Sequence, residues 1–228
     1  MNDVRALYSE LISKYTECSV LGSVTGLLHW DMQTVMPPKG GELRGNQLAI
    51  LSGIVHRRIT DPRIGELLTE LEAHSGELDS DQQACVREIR RDQKKAVKIP
   101  QELVEEISRH SSICHETWVK ARNAADFEMF APSLEKMLGL VRQQAEYLGY
   151  VETPLDALID QFEPDATATI FTRLFNEIKK ESIPLLKKIL DSPVKADRRF
   201  LTRDFPTPSS CPFGSGLRNT RVAGSARS

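Results

Sequence analysis

Residues 27–47 read Leu-Leu-His-Trp-Asp-Met-Gln-Thr-Val-Met-Pro-Pro-Lys-Gly-Gly-Glu-Leu-Arg-Gly-Asn-Gln. Two adjacent prolines lack amide donors and two adjacent glycines widen the allowed backbone, so a helix break is predicted at 36–41. Upstream, apolar residues recur every three or four positions, as on one helix face: Leu7, Leu11, Tyr15, Cys18, Leu21, Val24 and Leu28. A helix of about 27 residues would be roughly 40 Å long, which favours an elongated assembly of long antiparallel helices.

Helix-capping and helix-breaking residues divide the rest of the chain into further helices. Two predicted helices cover about 42–58 and 165–190, and Pro184 predicts a kink or restart in the second. Between them, further helices are predicted to start at Asp61-Pro62, at Asp79 or Ser80, at Pro100 and after Phe130, the last ending at Gly149. The positions predicted to face inward include Val86, Ile89, Val97, Leu103, Val104, Ile107, Ile113 and Trp118. No segment alternates with period 2, so the fold class is all-α.

The first stretch resembles the segment L-L-x-W-D-x-x-T-x-M-P-x-G-G-x-x-x-R-x-x-Q of carboxypeptidase Taq type metallopeptidases, and residues 118–136 and 147–164 resemble later blocks of the same family. The resemblance covers roughly residues 1 to 206. It implies the helical N-terminal half of a cleft-type zinc metallopeptidase that removes C-terminal residues from peptides. It also implies peptide substrates and homodimers for the full-length family.

The resemblance further implies a zinc site built on an H-E-x-x-H helix, in which two histidines one turn apart share a face. The chain contains no such motif. The closest segment begins at His115-Glu116 but has Val119 where the second histidine would stand. Glu106 and His110 are four residues apart, and an ordinary surface pair is a better interpretation than a metal site. We therefore predict no catalytic residue, no metal ligand and no cofactor in this chain.

The motif residues themselves are interpreted structurally. His29 and Asp31 flank Trp30, and residues so close on a helix do not face each other as an acid/base pair would. We expect Trp30 to fill the core and Asp31 to cap or pair near the Pro-Pro turn. Arg44 and Gln47 are predicted to hold the turn to its neighbours. The carboxylates predicted to be helix caps and surface charges are Asp156, Asp160 and Glu163.

Composition excludes several classes of function. A formal charge of −2 gives no electrostatic reason to expect nucleic acid or an anionic membrane as a partner. No long apolar run or signal-peptide core is present, so the cytoplasm is the expected location. The four cysteines contain no C-x-x-C pair and are expected to be reduced and mostly buried: Cys18, Cys85, Cys114 and Cys211.

The composition changes near Arg203. Residues 203–228 contain five serines and four arginines but one acidic residue, and they are predicted to be a disordered tail unrelated to the family. The predicted domains are therefore a helical domain, 1–202, and this tail, 203–228. Reading the gene in another frame would produce such a change, and so would a natural short form.

The leading functional hypothesis is an N-terminal fragment of a zinc metallocarboxypeptidase, truncated before the metal-binding motif and inactive alone. The alternative is a helical interaction protein that pairs with a full-length relative. A third hypothesis, an enzyme with an unrecognised site, is disfavoured because no catalytic set with workable geometry is found.

Overall fold

The computed structural model describes residues 3–37 and 39–202, apart from the side chain of Phe200. Within these residues the chain forms α-helices and two short 3-10 turns, and no strand. The helices are α1 Val4–Thr34, α2 Gly41–Ile59, α3 Pro62–Ala73, α4 Ser80–Ala96, α5 Gln101–Ala124, α6 Ala131–Leu148, α7 Pro154–Ile159 and α8 Ala168–Asp191. The all-α prediction is confirmed.

The chain divides into two compact units between Thr172 and Arg173, inside α8. The predicted tail, 203–228, lies outside the described residues, and the predicted domain boundaries stay a prediction. Among the described residues, no helix is both long enough and apolar enough to cross a bilayer.

Helix ends follow the local sequence. The Asp61 carboxylate accepts the amide of Arg63 and caps α3, with Pro62 at the first helical position. Asp79 caps α4 in a reciprocal capping box with Gln82. Gly149 ends α6 with a φ of 78°, a region where a side chain would be strained. The predicted restart at Pro184 was wrong, because α8 continues through Pro184 as a single helix, and the alternative of a kink stays a prediction.

The main core joins the first half of α1 to α3 and α4. Its buried members are Val4, Leu7, Leu11, Ile64, Leu67, Leu68, Leu71, Leu78, Val86 and Ile89. Arg63 fastens α3 to α1 through two hydrogen bonds of 2.8 Å to the carboxylate of Glu10. Within the predicted apolar stripe of α1, Leu7, Leu11 and Cys18 are buried, Tyr15, Leu21 and Leu28 are half-buried, and Val24 is exposed.

The pairing of α2 with α5 depends on small residues that the sequence analysis did not single out. Gly41, Gly45, Ala49 and Gly53 recur every four positions and are all buried. A Cβ atom on Gly45 would lie 3.4 Å from the carbonyl oxygen of Arg109 on α5. The missing side chains let the two helix backbones approach closely. The i, i+4 spacing of small residues is the signal that could have predicted this contact.

Several positions predicted to face inward are exposed instead. Val97, Ile113 and Trp118 are 52%, 44% and 41% exposed. Cysteine burial was also overestimated, since Cys18 is buried while Cys85 is exposed; these and Cys114 are free thiols, and Cys211 lies outside the described residues. Periodicity identifies which residues share a helix face, but it does not show whether another element covers that face.

Candidate functional site

The turn between α1 and α2 is organised by Arg44 from the first turn of α2. Its guanidinium donates to the carbonyl oxygen of Leu28 and to the carboxylate of Asp31, each at 2.6 Å, and to the side-chain oxygen of Gln47 at 3.0 Å. The Arg44 side chain is only 13% exposed, so these charge-assisted bonds are partly shielded from water. The predicted holding role of Arg44 and the predicted pairing of Asp31 are confirmed, while Gln47 accepts a hydrogen bond from Arg44 on the same helix.

Trp30, by contrast, does not fill the core. It is 61% exposed and continues a stripe of exposed apolar residues along the second half of α1, at Val20, Val24 and Leu27. These positions follow one another at intervals of three or four residues, so they share one helix face. We call these four residues the α1 stripe. The prediction for Trp30 was wrong because the described residues leave the α1 stripe uncovered.

The histidines are engaged mainly with backbone carbonyl groups. His110 is buried, and its Nε2 lies 2.9 Å from the carbonyl oxygen of Ser133. His56 and His74 approach the carbonyl oxygens of Ala96 and Glu70 at 3.0 and 2.9 Å. A carbonyl oxygen only accepts hydrogen bonds, so each of these ring nitrogens carries a proton and donates. Each of these bonds engages one ring nitrogen, so whether a metal could bind depends on the other side chains that lie nearby.

The segment that begins at His115 forms a surface stack instead of a metal site. The rings of His115 and Trp118 lie 6.0 Å apart, and the Arg122 guanidinium lies 5.6 Å from the Trp118 ring centre. Glu116, at the position of the catalytic glutamate in an H-E-x-x-H motif, accepts a 2.6 Å hydrogen bond from Lys120. The stack therefore occupies the face on which a second histidine would be needed.

Glu106 is held by two cations. It accepts hydrogen bonds of 2.5 Å from Lys136 and 2.9 Å from Arg109, and the Lys136 bond lowers the pKa of the carboxyl group. Glu106 and His110 are thus each bound to other groups. Across residues 3–37 and 39–202, no three His, Cys, Asp or Glu side chains converge as a metal site. The described residues do not fit a zinc ion.

Asp156 organises the short helix α7. It is 4% exposed and accepts backbone amides from Glu152 and Thr153 at 3.0 Å and from Ala168 at 2.8 Å. These donors, led by Ala168, lower the pKa of the carboxyl group. The predicted helix-cap role is confirmed, but Asp156 is buried and so is not a surface charge.

Asp160, at the end of α7, connects this region to α4. Its carboxylate binds Lys95 at 2.5 Å and Arg91 at 3.2 Å. Partial burial acts to raise the pKa of Asp160, but hydrogen bonds from Lys95 and from the amide of Asp165 outweigh it, so the pKa is lowered. Glu163 is exposed, as predicted. The carboxylates of this block are structural ties and caps.

Comparison with known proteins places this arrangement in a family. The family model for the carboxypeptidase Taq (M32) metallopeptidase matches residues 10–219 and so extends into the segment that the sequence analysis assigned to an unrelated tail. Thermostable carboxypeptidase 1 of Thermus thermophilus is 34% identical over 93% of this chain and 44% of its own length.

Solved structures agree with this match. The BsuCP crystal structure is 30% identical, with a TM-score of 0.82 over 89% of this chain and 41% of that chain. The M32 carboxypeptidase of Deinococcus radiodurans R1 is 31% identical, with a TM-score of 0.70 over 95% of this chain and 43% of that one. This chain therefore belongs to the carboxypeptidase Taq (M32) metallopeptidase family and spans less than half the length of the relatives it matches.

Proposed function

We propose that this chain is an N-terminal part of a zinc metallocarboxypeptidase that releases C-terminal residues from peptides, and that it is inactive alone. The observation that carries the proposal is the combination of a family match over most of the chain with a sequence that has no H-E-x-x-H motif. The chain would supply part of one wall of the substrate cleft, and zinc would be held by residues outside it.

The α1 stripe supports this proposal. Its four apolar side chains are between 39% and 67% exposed. A contiguous apolar surface is unfavourable in water and is usually covered by a partner. We attribute the cover to the remainder of the enzyme, which the relatives carry in one chain.

Metal content and activity test the proposal directly. The purified chain should hold well under one zinc per molecule and should not hydrolyse blocked dipeptides, even with added zinc or cobalt. Co-expression with the remaining part of the Thermus enzyme, beginning where its match to this chain ends, should restore hydrolysis. Stoichiometric metal with turnover by the chain alone would contradict the proposal.

The α1 stripe also favours a second candidate, a helical interaction protein that pairs with a full-length relative. A pulldown with the full-length relative tests it. Leu27→Asp should abolish the complex, because it places a charge in the apolar contact. Val151→Asp is the matched control, since Val151 is an exposed valine outside the α1 stripe. Equal capture of both variants would rule out the α1 stripe as the contact.

A further inference from the structure

A cleft of about 830 Å³ lies between α3, α4 and the turn after α7. Its basic lining residues are Arg87, Arg90, Arg91, Lys94, Lys95 and Lys98, and its acidic ones are Glu72, Glu88, Asp160 and Asp165. The exposed Pro164 also lines it, and the buried core residues Leu71, Leu78 and Val86 lie beneath. We call this feature the cationic cleft. Basic residues outnumber acidic ones, although the whole chain is slightly acidic.

Three of the basic residues are largely neutralised by two carboxylates within the protein. Arg90 donates to both carboxylate oxygens of Glu72, at 2.7 and 2.9 Å. Arg91 and Lys95 share Asp160. These pairs join α4 to its neighbours, so they shape the cationic cleft and leave little charge for a ligand.

The other three basic residues are not neutralised in this way. Lys94 is exposed, and its ammonium group makes no hydrogen bond or ion pair with the described residues. Lys98 donates at 2.6 Å to the carbonyl oxygen of Leu148, which carries no formal charge. Arg87 pairs at 3.3 Å with the adjacent Glu88, and both side chains are largely exposed, so that pair contributes little.

The spacing of these three charges selects the class of ligand. Arg87 and Lys94 lie two turns apart on α4, and Lys98 lies just beyond its end, so the backbone positions of the three extend over roughly 16 Å instead of converging on one point. A compact anion such as phosphate would reach one of them at a time. A chain with repeated negative charges could contact all three.

Two further observations distinguish a peptide from a nucleic acid. The lining of the cationic cleft contains no aromatic side chain on which bases could stack. The formal charge of −2 also disfavours a polyphosphate backbone. We infer that the cationic cleft binds an acidic peptide segment.

Fluorescence anisotropy with the full chain tests this inference. The probe is a fluorescein-labelled peptide of repeated Glu-Leu-Glu units. It should bind saturably and weaken as salt is added. Lys94→Glu combined with Lys98→Glu should weaken binding at least about tenfold, because attraction becomes repulsion at both positions. Circular dichroism checks that the variant is folded, and Lys94→Gln with Lys98→Gln should give a smaller loss.

The matched control is Lys187→Glu combined with Lys188→Glu on α8, which changes the net charge by the same amount at two exposed lysines. It should bind the peptide as the unmodified chain does. Equal weakening by both double variants would mean nonspecific charge attraction and would overturn the inference. Three other results would also overturn the inference. They are tighter binding of a single-stranded oligonucleotide of equal charge, displacement of the peptide by inorganic phosphate, and no peptide binding at all.

Discussion

Replacing Gly45 tests the close approach of α2 and α5. A Cβ atom at Gly45 would lie 3.4 Å from both the carbonyl oxygen of Arg109 and the Cβ atom of Ser112. Alanine therefore fits at the limit of ordinary contact. Alanine is about 1 kcal/mol better than glycine in a helix, so Gly45→Ala should leave the free energy of unfolding nearly unchanged or slightly higher.

A leucine side chain at position 45 would extend past the Cβ position and overlap these neighbours. One of the neighbours is a backbone oxygen that cannot rotate away, so the helices must separate. Overpacking of this kind costs roughly 1–3 kcal/mol, partly offset by a gain of somewhat under 1 kcal/mol in helix propensity. Gly45→Leu should therefore lower the free energy of unfolding by up to about 2 kcal/mol.

Gly139 on α6 provides the matched control, because a Cβ atom there meets nothing within 4 Å. Gly139→Leu has the same helix-propensity gain without overpacking and should stabilise the chain by somewhat under 1 kcal/mol. Urea unfolding, monitored by far-UV circular dichroism, gives the free energy of unfolding of each variant. If the two leucine variants change the free energy of unfolding equally, the close approach of α2 and α5 does not contribute to stability and our reasoning fails.

Three further predictions concern the core, the turn and pH. Leu67→Ala removes a fully buried side chain and should cost about 2–5 kcal/mol in urea unfolding, whereas Leu43→Ala, at an exposed site, should change it little; equal losses would contradict the assigned core. Arg44→Lys should lower the Tm, because one ammonium cannot reproduce the guanidinium contacts with Leu28 and Asp31. The pKa of Asp156 is lowered on folding, so its contribution is complete above the unfolded value of about 3.9 and is lost as pH falls through the folded pKa. Acid titration of stability should therefore be shallower in Asp156→Asn.

The sequence alone was sufficient for the helical pattern and for the family. Capping at Asp61 and Asp79 and the stop at Gly149 are local effects, since each depends on a side chain and a backbone group a few residues apart. The local contacts of Asp31 and Arg44 could also be predicted, because charged groups next to a Pro-Pro break need partners close by. The absence of H-E-x-x-H could be read directly from the sequence.

Tertiary structure alone decided which helix faces are covered. Trp30 and Leu11 lie on the same long helix with similar apolar character, yet Leu11 is fully buried by α3 and α4 while Trp30 is exposed. Burial depends on what other elements place against a face, which helical periodicity does not contain. The same reason applies to Asp156, whose carboxylate binds amides before and after α7. It also applies to Arg90, Arg91 and Lys95, whose pairing depends on the carboxylates that α3 and the end of α7 bring to α4.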